Sequence, residues 1–91
     1  MPFKIVETAS YKKRVVKFFK KHPDLFERYA KTIRLMELDP FHPSLRLHKL
    51  KGNLCEYHSI SISMRYRIVV EFVIEDEKII LINIGMHDDV Y

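Results

Sequence analysis

From Ile60 to Ile74 every even-numbered residue is apolar or aromatic: Ile, Ile, Met, Tyr, Ile, Val, Phe and Ile at positions 60, 62, 64, 66, 68, 70, 72 and 74. A period of two is the mark of a β-strand, whose side chains alternate between faces. The odd positions from 57 to 67 are Tyr, Ser, Ser, Ser, Arg and Arg. One face should therefore meet a core, while the other carries small hydroxyls beside two guanidinium groups. We read two strands here, Tyr57–Met64 and Arg65–Ile74, an acidic turn Glu75-Asp76-Glu77, and a third strand Lys78–Ile84. The third run is apolar on both sides and is expected inside the sheet. Parity is argued within each strand alone, because a one-residue slip near Met64 would exchange the faces.

The upstream half reads as cover for that sheet. Phe3–Glu7 is rich in β-branched and aromatic residues and makes a short first strand. Thr8 or Ser10 is placed to cap a helix carrying Tyr11, Val15, Phe18 and Phe19 at helical spacing. His22-Pro23 ends it, because the residue before a proline avoids helical geometry. Asp24 followed by Glu27 resembles a capping box for a second helix, with Leu25, Phe26, Tyr29, Ala30, Ile33 and Met36 as its stripe up to about Leu38. A proline-punctuated turn, 39–44, leads to a basic connector, 45–53, anchored by Leu45, Leu47 and Leu50 and closed by the turn signal Gly52-Asn53. The expected fold is α+β in the order β-α-α-β-β-β, a mostly antiparallel sheet covered on one face by an αα-hairpin. With 91 residues, positions 1–91 form a single domain.

Cys55 is the only cysteine, so a reducing compartment fits. No stretch approaches the ~18 apolar residues of a membrane span, and Met1-Pro2-Phe3-Lys4 lacks a signal-peptide core. A cytoplasmic protein without membrane contact is expected. Charge is unevenly spread: residues 1–53 hold 13 Lys/Arg against 5 Asp/Glu, and residues 54–91 hold 3 against 7. A basic half suggests a polyanionic or acidic partner. The plainer alternative is that Lys12, Lys13, Arg14, Lys17, Lys20 and Lys21 are one helix's solvated face.

The histidines at 22, 42, 48, 58 and 87 form no HxH or HxxH pair, and Cys55 has no CxxC partner. No metal and no cofactor is expected. With two glycines there is no phosphate loop, and the serines alternate along a strand instead of marking a nucleophile elbow. The remaining pattern suits phosphate: Arg65 and Arg67 as forked donors, His48 and His87 as proton carriers. Metal-free RNA cleavage needs a base for the 2′-hydroxyl, cations for the phosphorane and an acid for the leaving 5′-oxygen. His58 falls on the apolar face and reads as a satisfied core or edge histidine; His22 reads as a helix end and His42 as turn surface.

The order strand, two helices, three strands, with Leu47-His48-Lys49-Leu50-Lys51-Gly52, Tyr66-Arg67-Ile68-Val69-Val70 and Ile84-Gly85-Met86-His87-Asp88-Asp89-Val90-Tyr91, resembles the RelE/ParE superfamily of bacterial toxins. The likeness is greatest to its YafQ-like and RelE-like branches. The motifs cover most of residues 45–91, and the N-terminal half agrees in architecture only. The resemblance implies a bacterial, cytoplasmic toxin of a type II toxin–antitoxin pair, cutting mRNA in the ribosomal A site and held by a cognate antitoxin. By position, His48 matches the histidine of HxLKG, His87 that of the C-terminal G-x-H, Tyr91 the terminal aromatic and Arg67 the arginine of the YR motif. The implied roles are His87 as general acid, His48 as base, Arg67 as phosphorane clamp, and Tyr91 stacking on a base or relaying a proton, while Arg65 is a catalytic candidate on its own chemistry as a second forked donor. Lys49 and Lys51 match the basic segment expected near RNA, joined by Arg46 and Ser61 as candidate RNA contacts. The sequence departs from the YafQ-like pattern: Ser61 stands where a histidine is found, Arg65 where an aspartate is found, and Met86 where a small hydroxyl residue is common. The alternatives are a ParE-like gyrase poison, or an inactive RNA- or protein-binding module of the same fold.

Overall fold

The computed structural model describes residues 3–50, 52, 57–73 and 76–86. Strand β1, Lys4–Glu7, runs into helix α1, Ala9–Lys21. Thr8 is the helix N-cap: its hydroxyl oxygen accepts from the Tyr11 backbone N–H at 3.1 Å and donates to the Leu81 carbonyl at 3.2 Å. One side chain thus starts the helix and ties it to the sheet. The break at His22-Pro23 is a 3₁₀ turn, Pro23–Leu25, leading into helix α2, Phe26–Leu38. The capping box expected from Asp24 and Glu27 does not form. Leu25 is the N-cap, without a side-chain hydrogen bond, and already has right-handed helical dihedrals. The 3₁₀ turn feeds the helix directly, so Leu25 N–H bonds to the His22 carbonyl and Phe26 N–H to the Pro23 carbonyl.

The strands form one sheet of order β1-β5-β4-β3-β2, where β2 is His48–Lys49, β3 His58–Ser61, β4 Tyr66–Val73 and β5 Lys78–Met86. β1 lies parallel to β5, and the other pairings are antiparallel. The expected α+β layout holds, with one addition: the connector contributes the two-residue edge strand β2. β5 has neighbours on both sides, as its apolar sequence implied.

Strand limits differ from the pattern. Residues 62–65 form a bend between β3 and β4, and the Ile62 N–H closes it onto the Tyr66 carbonyl at 2.9 Å. Met64, expected on the apolar face, is 85% exposed at its tip, and Arg65 belongs to the same bend. Alternation cannot register a tight turn that interrupts it. At the far end of the pair, Asp76 and Glu77 do make a turn, with Glu77 at φ 52°. Gly52, at φ 69°, meets the turn expectation through a backbone conformation that suits glycine; Asn53, Ile74 and Glu75 lie outside the described residues.

The helices pack on the even face. Tyr11, Phe18, Met36, Leu45, Ile60, Ile62, Ile68, Val70, Ile79, Leu81 and Ile84 form the core. Phe26, expected in the α2 stripe, is instead exposed against Phe19, and Thr32 takes a buried place by donating to the Arg28 carbonyl at 2.8 Å. On the opposite face Leu50 and Val69 are buried with Tyr57 and Ile82 beside them. The split follows from a register shift: Val70 pairs with Leu81 and Val69 with Asn83, leaving Ile82 as an extra residue. That bulge keeps Leu81 and Ile84 under the helices while Ile82 joins the other side.

Candidate functional site

The outer face, away from the helices, is ordered by register. One row runs His48, Ser59, Val69, Asn83 across β2, β3, β4 and β5; the next runs Ser61, Arg67, Gly85. His48 and Arg67 therefore share a face, two strands and one row apart. Strand spacing of about 4.8 Å and a rise of about 3.3 Å per residue put their Cα atoms about 12 Å apart. His48 is exposed on the edge strand, and its Nδ1 lies 3.3 Å from the Ser59 hydroxyl.

Arg67 is half-buried, and its Nε and Nη1 are buried with no hydrogen-bond partner among the described residues. An unmade bond on a buried donor costs about 1–3 kcal/mol, more when the donor is charged. Each of these charged N–H donors can bond a carboxylate or phosphate oxygen. The neighbours of Arg67 suit such an anion. Ser61 on one side donates its hydroxyl to the Ser63 carbonyl at 2.7 Å, and Gly85 on the other side has no side chain.

The other expected residues divide. Arg65 is exposed in the bend just before β4. Arg46 is exposed at a left-handed position, φ 49°, before β2. Lys49 is exposed but pairs with His58, so it stands on the face opposite His48. Ser61 is 9% exposed with its hydroxyl engaged, which leaves it little to offer RNA. Lys51, His87 and Tyr91 lie outside the described residues. His58 is on the apolar side as expected, edge-on to Phe72, but it is not satisfied: its Nδ1 is buried without a partner among the described residues. Burial, then Lys49 and His48, hold its pKa below the usual imidazole value. His42 is turn surface, with Nδ1 accepting from the Ser44 N–H. His22 is the C-cap of α1, packed against Phe18 and Tyr66 with ring centroids 4.7 Å from each.

Two neighbours escaped the sequence reading. Gly85 beside Arg67 is set by the bulged register, which strand parity does not encode. The contact of Ser59 with His48 required knowing that the connector pairs as a strand. Among the described residues no group of three His, Cys, Asp or Glu side chains is placed to hold a metal ion, and no helix is long and apolar enough to cross a membrane.

No family model and no curated protein matches the sequence. Solved structures do match the fold. YafQ from Escherichia coli strain BL21(DE3) superposes with a TM-score of 0.78 at 13% identity, covering 98% of both chains. A YoeB/ParE toxin from Agrobacterium tumefaciens gives 0.71 at 23% identity over 93% of this chain and 99% of that one. A chain of the E. coli DinJ–YafQ toxin–antitoxin complex gives 0.77 at 15% identity over 100% and 99%. At these identities the likeness is one of fold, and it agrees with the family that the motifs resemble. The chain thus has the RelE-like fold of the YafQ and YoeB/ParE toxins.

Proposed function

We propose that the chain is the toxin of a type II toxin–antitoxin pair and a ribosome-dependent mRNA endonuclease. The observation that carries this reading is the Arg67 guanidinium, with two buried nitrogens unpartnered among the described residues, on the same face as His48. In the proposed reaction His48 removes the proton of a ribose 2′-hydroxyl, and the oxygen attacks the adjacent phosphorus. Arg67, flanked by Arg65, holds the phosphorane's anionic oxygens. The P–O5′ bond breaks and the 5′-oxygen takes a proton from His87. The products are a 2′,3′-cyclic phosphate and a 5′-hydroxyl end. Tyr91 stacks on a base, and Arg46 and Lys51 hold flanking phosphates. The cognate antitoxin silences the enzyme by covering the outer face. The fold it shares with a chain of the DinJ–YafQ toxin–antitoxin complex supports such a partner.

The test is induced expression with mapping of transcript 5′ ends, repeated on programmed ribosomes. Codon-phased cuts with 5′-hydroxyl ends are expected, and Arg67→Ala should slow them about a hundredfold. Cutting by Arg67→Ala at the wild-type rate sinks the proposal. DNA damage without such cuts replaces it with a gyrase poison.

A further inference from the structure

A second cleft, of about 360 Å³, opens between α1 and the ends of β4 and β5, lined by Arg14, Lys17, Lys21, His22, Tyr66 and Gly85 among others. Three cations at i, i+3 and i+7 make one stripe of the helix, and all three are exposed. Among the described residues no carboxylate lines the cleft. Lys21 lies in the last turn of α1, where it complements the helix dipole; Arg14 and Lys17 are mid-helix and have no such reason. The floor is aromatic: the His22 ring lies 4.7 Å from both Phe18 and Tyr66, with Phe18 and Tyr66 edge to face at 5.4 Å. Cations beside half-buried rings are the composition that holds single-stranded nucleic acid.

The position of the cleft decides the ligand. Gly85 lines it and is also the cross-strand partner of Arg67, so the cleft and the Arg67 face meet at one residue without a side chain. Paired strands are about 4.8 Å apart. The cleft therefore begins one strand away from Arg67. An acidic peptide would satisfy the cations but gains nothing particular from the rings.

Resting on the nuclease reading above, we infer that this cleft binds the RNA strand beside the cut. Arg14, Lys17 and Lys21 take one or two backbone phosphates, and a base lies on the His22–Tyr66 floor. The site adds affinity and register, and no chemistry.

The experiment uses the full chain and a short, fluorescent, fully 2′-O-methylated RNA, which lacks the nucleophile and reports binding alone. Arg14→Gln with Lys17→Gln is compared with Lys12→Gln with Lys20→Gln, an equal charge loss on exposed positions of the same helix outside the cleft. The cleft pair should weaken binding about tenfold and lower the salt slope by about 1.4, at about 0.7 per lost contact to a single strand. The control pair should change the affinity less than about twofold. Equal effects of the two pairs, or none from the cleft pair, overturn the inference. So does a cleft pair that binds the RNA normally but loses an acidic antitoxin peptide. Cleft-dependent binding with no cutting of unmodified RNA on ribosomes refutes the nuclease alone; cutting with cleft-independent binding refutes the cleft alone.

Discussion

The hydroxyls of Tyr11 and Tyr29 lie 2.7 Å apart, joining α1 to α2 above the sheet. Tyr11 is fully buried, and Tyr29 is half-buried at the core margin. Burial, reinforced by Tyr29 and Glu7, raises the Tyr11 pKa far above the ordinary phenol value; burial also raises that of Tyr29. An unfolded tyrosine ionises near pH 10. Above that pH the unfolded chain loses protons that the folded chain keeps, so stability is complete below pH 10 and falls as pH rises beyond it. Urea unfolding at neutral pH should show Tyr11→Phe weaker by about 1 kcal/mol, the value of one hydrogen bond. Its alkaline decline should be shallower than the wild type's; an unchanged decline contradicts the assignment.

His58 answers at the other end of the pH scale. Its folded pKa is lowered, so the unfolded chain binds the proton more readily. The contribution is present above the free imidazole value of about 6.5 and is lost as pH falls through it towards the folded pKa. Melting temperature measured between about pH 5 and 8 should therefore drop on the acid side, and His58→Phe should flatten that drop. A variant that melts with the wild-type pH profile removes His58 as the cause.

If His87 delivers the proton to the leaving oxygen, its loss is chemically repairable. His87→Ala should slow mRNA cutting by about 10²–10⁴. A substrate with sulfur in place of the bridging 5′-oxygen needs no proton to leave, and it should restore most of the rate. His48→Ala, acting at the other end of the reaction, should not be rescued. Equal rescue of both variants, or of neither, refutes the division of labour.

The helix boundaries and the core face were legible because their causes are local. Thr8 stands ahead of the helical stripe and caps it, His22-Pro23 stops the helix, and alternation put Ile60, Ile68 and Val70 together. The position of Arg67 on the polar face was readable for the same reason. What escaped depends on pairing between distant segments. The connector became β2 only because β3 offers it a free edge. The bulge at Ile82 moved Gly85 beside Arg67, and Lys49 turned to the side away from His48 once the connector paired. The six α1 cations read as one solvated face, yet three of them line a cleft, because the end of the sheet is hidden from a helical wheel.

Among the described residues β1 has a single strand neighbour, β5, and the register pairs Lys4 with Lys78. During synthesis β1 must wait for β5, the last of the described strands, before the two can pair. Closing a loop of that length precedes any gain from the contact. A nascent chain halted before β5 holds neither the closed sheet nor Gly85 beside Arg67. The topology itself postpones the completed sheet, and with it the cross-strand partner of Arg67, until β5 has been translated.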